Sequence, residues 1–155
     1  MNLSSGCHKL DGLLTTVGGL LQPVLLLVLR VWWGWSFFLA GKGKLLNLEK
    51  ASGFFAGLDI PLPKLATIVA GSVECAGGLL LLLGLGSRVV CVPLIFTMGV
   101  AYATAHKDEL GAIFSDPDKF TGAAPFLFLL TTLIVFAFGP GKLSLDALLF
   151  KKTAQ

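Results

Sequence analysis

The chain has 155 residues, which suits one domain, and its residues are 55% hydrophobic and 14% charged, with a mean hydropathy of +0.84. Because a soluble domain carries about 25% charged residues, this composition excludes an ordinary soluble protein and predicts a single membrane domain over residues 1–155. The net charge of +3 is too small to indicate a nucleic-acid partner.

Residues 10–21 come before the first long apolar run and carry leucine and valine at helical spacing. We interpret them as a short amphipathic segment that lies at the membrane interface. A frayed tail is the alternative, and two adjacent glycines favour it. The segment is not typical of a secretory signal, because its basic start is weak and Asp11 follows at once.

Residues 23–41 are predicted to form the first membrane span, with a proline at its first helical position. Trp33 and two further tryptophans lie near its middle, whereas interfacial aromatic belts lie at the ends of spans. These rings are therefore expected to pack on neighbours or to line a pocket. One stripe of the helix joins two cations and comprises Arg30, Gly34, Phe37, Gly41 and Lys44.

Residues 42–64 connect the first two spans and are too apolar for a solvated linker. We predict a short helix over residues 45–58 that folds back on the membrane surface. Pro61 and Pro63 then predict a turn into the second span.

The second span, residues 65–86, has Glu74 at its middle. An ionisable group there costs about 2.5–3.5 kcal/mol on insertion scales, so it needs a partner, a proton or a bound ligand. The residues three and four positions away share its helical face and are all small: Ala70, Gly71, Gly77 and Gly78. This face indicates either tight helix packing around an internal polar link or a small-residue pocket with one acidic group inside.

Residues 89–105 and 123–139 complete a predicted all-α fold, a membrane-spanning four-helix bundle with a short interfacial N-terminal segment. The turn at Arg88 is so short that the second and third spans must be antiparallel neighbours. Tyr102 and His106 lie near the end of the third span, where they could define the mouth of a cavity. His106 is either an interfacial helix cap or a proton carrier near neutral pH.

Helix rise places Arg30 about 10 Å, and Glu74 about 18 Å, from the same membrane face. A long arginine side chain on a tilted helix can cover the remaining gap of about 8 Å, and intramembrane charges usually face the interior and pair. We therefore hypothesise an ion pair between Arg30 and Glu74, with either a structural or a functional role.

Four spans place both termini on one side of the membrane. Lys and Arg are divided almost equally between the two sides, so the positive-inside rule does not decide the orientation. The side with the termini carries fewer acidic residues, which weakly favours cytoplasmic termini in a bacterial inner membrane.

The three cysteines form no CxxC motif, so thiol–disulfide exchange is not supported. The two histidines are far apart in sequence and join no His/Cys cluster, so we predict no metal site and no covalent cofactor.

Several short motifs, taken together in order, resemble those of the DoxX family of small four-helix membrane proteins. The likeness covers roughly residues 28–147, and its motifs include Arg30 with Gly34, Phe38, Gly41 and Lys44, residues 57–61, Glu74 with Gly77 and Gly78, Gly84, Arg88, Met98, His106, residues 139–141 and residues 144–146. The resemblance implies the fold more than an activity. It also implies an association with membrane oxidoreductases, because relatives include the small subunit of a thiosulfate:quinone oxidoreductase.

Three functions from different classes stay open. The chain is expected to be a redox subunit that binds a quinone or lipid and receives electrons from a soluble or membrane partner. It could instead be a non-catalytic assembly subunit of a larger complex or oligomer, or a small proton-coupled transporter that uses Glu74 as carrier. The candidate catalytic residues are Glu74, Arg30 and His106, and the candidate ligand-binding residues are Trp33, Lys44, Gly77, Gly78, Arg88 and Tyr102.

Overall fold

A computed structural model describes residues 3–149, with side chains described for residues 11–149. Within that range the regular structure is entirely helical, with no strand, which confirms the all-α part of the predicted fold class. The helices are α1 Leu3–Leu46, α2 Leu48–Gly57, α3 Pro63–Leu83, α4 Ser87–Thr104, α5 Lys107–Gly111, α6 Pro117–Thr121, α7 Pro125–Phe138 and α8 Leu145–Leu149.

Three of these helices are long and apolar enough to cross a bilayer: α1 over its range Asp11–Leu46, then α3 and α4. The fourth apolar helix, α7, has only 14 residues, about 21 Å at 1.5 Å per residue. Large apolar side chains are exposed along these helices, for example Val89 at 76% and Phe96 at 73%. Such faces contact lipid when the helices lie in a membrane.

Helix α1 does not break where the sequence predicts a boundary. Residues 10–21 and 23–41 lie in one continuous helix that runs through Pro23 and on to Leu46. An interior proline removes one backbone hydrogen bond and crowds the preceding turn, at a cost of about 3 kcal/mol, but α1 continues through Pro23. The predicted helix over residues 45–58 corresponds to α2, Leu48–Gly57, which packs on α3.

Helices α1 and α3 are antiparallel and approach closely through glycines. A methyl group added at Gly34 would lie 2.9 Å from the carbonyl oxygen of Gly78, and one added at Gly41 would overlap the backbone at Gly71. These contacts leave no room for any side chain, so the two backbones themselves form the interface.

The core lies where α3, α4 and α7 meet α1. Its buried apolar side chains are Phe37, Leu81, Cys91, Leu94, Met98 and Val135. Gly77 belongs to this region as well, because a methyl group there would lie 3.0 Å from Leu94 on α4.

The bundle has two unlike ends. We call the end with the turn between α3 and α4 the near end, and the end with α2, α5 and α6 the far end. At the near end, α3 turns into α4 through Gly84 and Gly86, both with positive φ. The Asp146 carboxylate accepts hydrogen bonds from the N–H groups of Gly86 and Ser87, at 2.8 and 3.1 Å, which stabilises the start of α4. At the far end, α2, α5 and α6 lie over the ends of the long helices.

Candidate functional site

A cavity of about 260 Å³ lies in the far half of the bundle, beneath α2. Most of its lining is apolar and comes from five helices and three connections: Phe37, Ala40, Phe54, Phe55, Leu58, Ile60, Ala70, Met98, Val100, Ala101, Ala105, Ala124, Pro125 and Phe128. Lys44, Glu74 and His106 are its ionisable residues. A mostly apolar pocket with a few convergent polar groups is the usual form of a small-molecule site.

The Lys44 ammonium and the Glu74 carboxylate form an ion pair inside this cavity. Nζ of Lys44 donates to Oε2 of Glu74 at 2.5 Å, a short, charge-assisted contact. The side chain of Glu74 is only 3% exposed, whereas that of Lys44 is 28% exposed. An ammonium has three N–H donors, so Lys44 can still donate to a ligand while it neutralises Glu74.

The structure corrects the hypothesis that Arg30 pairs with Glu74. Gly34 faces Gly78 and Gly41 faces Gly71, so this antiparallel register sets Glu74 level with a point near residue 38 of α1. Along the axis of α1, the backbone of Lys44 lies about 9 Å from that level, and the backbone of Arg30 lies about 12 Å from it on the other side. Side chains on a helix tilt toward its N-terminus, which brings Lys44 toward Glu74 and carries Arg30 away from it.

Arg30 is fully buried at the near end of the bundle. Its Nη2 donates to the carbonyl oxygen of Leu143, and its guanidinium packs against Gly84, where no side chain would fit. Nε and Nη1 have no hydrogen-bond partner among the described residues. Arg30 therefore fixes the chain before α8 onto the bundle, and it is not part of the cavity.

Arg88 also lies at the near end. Its side chain is exposed and donates to the carbonyl oxygen of Ala137 at 3.4 Å. The structure therefore places two of the predicted site residues, Arg30 and Arg88, at the end of the bundle opposite the cavity.

His106 lines the cavity and directly precedes α5. Its Nδ1 lies 3.6 Å from Oε1 of Glu109, which belongs to α5. The pKa of Glu109 is lowered by a hydrogen bond from its own backbone N–H and, to a smaller extent, by His106. A carboxylate thus remains beside the imidazole at neutral pH.

Tyr102 is buried and stabilises the wall of the cavity instead of facing its interior. Its hydroxyl donates to the carbonyl oxygen of Phe120 at 2.9 Å, and its ring stacks on that of Phe120 at 5.0 Å between centroids. This contact joins the end of α4 to α6, next to His106.

The other predicted ligand-binding residues lie behind the cavity wall. Trp33 packs edge-on against Phe128, a lining residue, with 4.8 Å between ring centroids. Trp35 packs on Phe38 with 5.3 Å between ring centroids, although it is 49% exposed, whereas Trp32 is 69% exposed and does not line the cavity. Gly77 and Gly78 serve helix packing, as described above.

The sequence did not predict that aromatic side chains of α2 and α7 line the cavity. Phe54 and Phe55 of α2 and Phe128 of α7 line it, but nothing in their local pattern indicates a site. The available signal was that residues 42–64 are too apolar for a linker, which fits a segment that covers an apolar space. Among the side chains that the structure describes, no three His, Cys, Asp or Glu residues are grouped to hold a metal ion.

Comparisons with known proteins agree with this membrane architecture. The chain is 31% identical over 135 residues to the inner membrane protein YphA of Escherichia coli (strain K12), a match that covers 83% of this chain and 92% of YphA. It is 34% identical over 125 residues to a Bacillus subtilis (strain 168) protein named "Putative oxidoreductase CatD", covering 81% of this chain and 87% of CatD. An uncharacterized protein of Haemophilus influenzae is 31% identical over 132 residues, which cover 84% of this chain and 95% of that protein.

No solved structure matches the chain. The family model described as DoxX matches residues 25–107, a range that includes Arg30, Lys44, Glu74 and His106 and most of the cavity. The protein is therefore an integral membrane protein whose helices contact lipid, and it belongs to the DoxX family.

Proposed function

We propose that this protein is a membrane subunit that binds the ring of a quinone in the cavity beneath α2 and works with a membrane oxidoreductase. The observation that carries the proposal is the Lys44–Glu74 pair at the inner end of an apolar cavity. The name of CatD, a relative of similar length, supports an oxidoreductase association.

The size of the cavity favours a single substituted ring. An apolar cavity of about 150 Å³ holds benzene, so 260 Å³ suffices for a ring with a few small substituents. A long isoprenoid or acyl tail does not fit with it and would have to leave between the helices into lipid.

The polar groups of the cavity can both bind a quinone carbonyl oxygen and supply a proton for its reduction. A free N–H of Lys44 can donate to one carbonyl oxygen, and the Glu74 carboxylate can hold and release a proton. Reduction of a quinone to a quinol consumes two electrons and two protons. The electrons would come from a redox partner subunit, and His106 at the cavity lining can relay protons from the far end of the bundle.

We further propose that α7 is a fourth span, which completes a four-helix membrane bundle. It packs along α4 and supplies Phe128 to the cavity, and local thinning of the bilayer accommodates a short span at modest cost. The name of YphA supports an inner-membrane location, with both termini in the cytoplasm as the charge distribution weakly favours.

The test is mass spectrometry of organic extracts from purified wild-type protein and matched variants. Glu74→Gln and Lys44→Met are expected to lose at least nine-tenths of the quinone, a tenfold effect that corresponds to about 1.4 kcal/mol. The controls Glu49→Gln and Lys42→Met change the same residue types at exposed positions and should retain it. Arg30→Leu should also retain it, because the guanidinium lies at the near end.

Thermal unfolding of each variant separates loss of ligand from loss of fold. Wild-type protein that carries no quinone but a stoichiometric phospholipid would contradict a quinone site and assign the cavity to lipid. Protein that carries neither ligand, and is recovered only within a larger complex, would favour an assembly subunit.

A further inference from the structure

The N-terminal part of α1 extends past the near end of the bundle. Pro23 and Leu26 are level with Gly141 in the segment between α7 and α8. Residues 11–22 are all exposed, and twelve helical residues measure about 18 Å. Lys142 and Arg88 mark the polar surface at this end, so the extension lies outside the apolar layer.

This extension is too apolar to stand alone in water. Its large apolar side chains are all strongly exposed: Leu13 61%, Leu14 68%, Val17 44%, Leu20 69% and Leu21 60%. Contiguous apolar surface of this kind marks an interaction site. A helix that lay on the membrane surface would have to turn through about 90° at its junction with the span, but α1 is continuous through Pro23, and helix kinks at proline are much smaller changes of direction.

The apolar side chains follow a heptad pattern that continues into the span. Val17, Val24 and Val31 occupy a positions, and Leu13, Leu20 and Leu27 occupy d positions. β-Branched residues at a with leucine at d favour two parallel strands. Gly34, the next d position, packs against α3 instead, so the stripe ends where the bundle begins to cover α1.

We propose that this a/d stripe, Leu13 to Val31, is a dimerisation seam that pairs α1 with α1 of a second copy in parallel. Parallel pairing makes the stripe its own partner about a two-fold axis along the membrane normal. It leaves the cavity free, because the stripe lies in the near half of α1 and the cavity in the far half.

The area available is sufficient for a stable pair. A Val or Leu side chain presents roughly 60–120 Å² of apolar surface that a partner can cover. Six such side chains from each copy give on the order of 1,000 Å², about the minimum for a specific interface. The two leucines beside the stripe, Leu14 and Leu21, occupy e positions and widen it.

The first test is disulfide cross-linking of full-length protein in membranes, in a Cys7→Ser background. Single substitutions Leu13→Cys, Val17→Cys and Leu20→Cys should each form a covalent dimer under mild oxidation. Thr15→Cys, Gly19→Cys and Gln22→Cys lie on the opposite face and should stay at least tenfold lower. Equal cross-linking on both faces, or none on either, would overturn the seam.

The second test measures the oligomeric state of detergent-solubilised protein by native mass spectrometry. The double variant Leu13→Asn/Leu20→Asn should raise the dimer dissociation constant at least tenfold, whereas Thr15→Asn/Gln22→Asn should not change it. A wild-type monomer would overturn the proposal. A monomer whose apolar face is also shielded from a water-soluble quencher by added vesicles would assign that face to the bilayer surface.

Discussion

Side-chain direction decides which cation meets the carboxylate in the middle of α3. The sequence alone predicts that Glu74 needs a partner, and it predicts correctly that Arg30 and Lys44 share one stripe of α1. It does not predict the register of α1 against α3, and helix rise alone favoured Arg30. Both Lys44 and Glu74 tilt toward the N-termini of antiparallel helices, so they lean toward each other and form the 2.5 Å pair.

The two members of this pair should respond unequally to mutation. Lys44→Met leaves the Glu74 carboxylate, 3% exposed, without a counter-charge, so we expect a loss of about 3 kcal/mol, at the lower end of values for broken buried pairs. Glu74→Gln should cost less, because Lys44 is 28% exposed and its ammonium can turn toward water. Denaturant unfolding in detergent micelles measures both changes.

The double variant Lys44→Met/Glu74→Gln completes the cycle and should recover most of the stability lost in Lys44→Met. Equal losses for the two single variants, with no recovery in the double variant, would mean that the pair carries little of the energy at this position.

At the scale of helices, the interface between α1 and α3 could be predicted better than the cavity beside it. The glycines of α1 repeat at helical spacing and Gly77–Gly78 lie next to Glu74, which indicates a close helix pair. The cavity depends on α2 and α7, which are distant in sequence and share no common pattern. Only their packing brings Phe54 and Phe128 to the same space.

Two glycines on the same turn of α1 test the close approach directly. Gly41→Ala places a methyl group against the backbone of Gly71 and Cys75, whereas Gly43→Ala meets nothing within 4 Å. We expect Gly41→Ala to destabilise the bundle by about 1–3 kcal/mol through overpacking. Gly43→Ala should be neutral or stabilising by up to about 1 kcal/mol, because alanine favours a helix.

Thermal unfolding of the two purified variants beside wild type is the measurement. If Gly41→Ala unfolds at the wild-type temperature, the two backbones are not in contact, and the register that pairs Lys44 with Glu74 loses its basis.

In the whole molecule, the near end of the bundle holds the structural contacts and the far end holds the cavity. At the near end, Arg30 binds the carbonyl of Leu143 and Asp146 caps α4, so the chain after α7 is fixed to the turn between α3 and α4. At the far end, a cavity lies between the long helices and α2. Ligand exchange at the far end therefore need not disturb the contacts that fix the near end.

This arrangement requires α7 to cross the membrane, which the accessibility of cysteines introduced one at a time can test. The native Cys75 and Cys91 are half-buried and buried, and the Cys7→Ser protein without an introduced cysteine gives their background labelling. In a Cys7→Ser background, Asp11→Cys and Lys142→Cys mark the near end, and Lys50→Cys and Lys119→Cys mark the far end. If α7 is a span and the termini are cytoplasmic, an impermeant maleimide added to intact cells should label only the far-end pair. Inverted vesicles should reverse the pattern.

The comparison of Lys119→Cys with Lys142→Cys is decisive because these positions flank α7. Labelling of both from the same side would mean that α7 does not cross, despite its apolar sequence. The segment from Gly139 to Asp146 would then have to leave the near end, and Arg30 would lose the Leu143 carbonyl that it binds. A fully buried guanidinium without that partner is costly, so the position of Arg30 itself favours a fourth crossing.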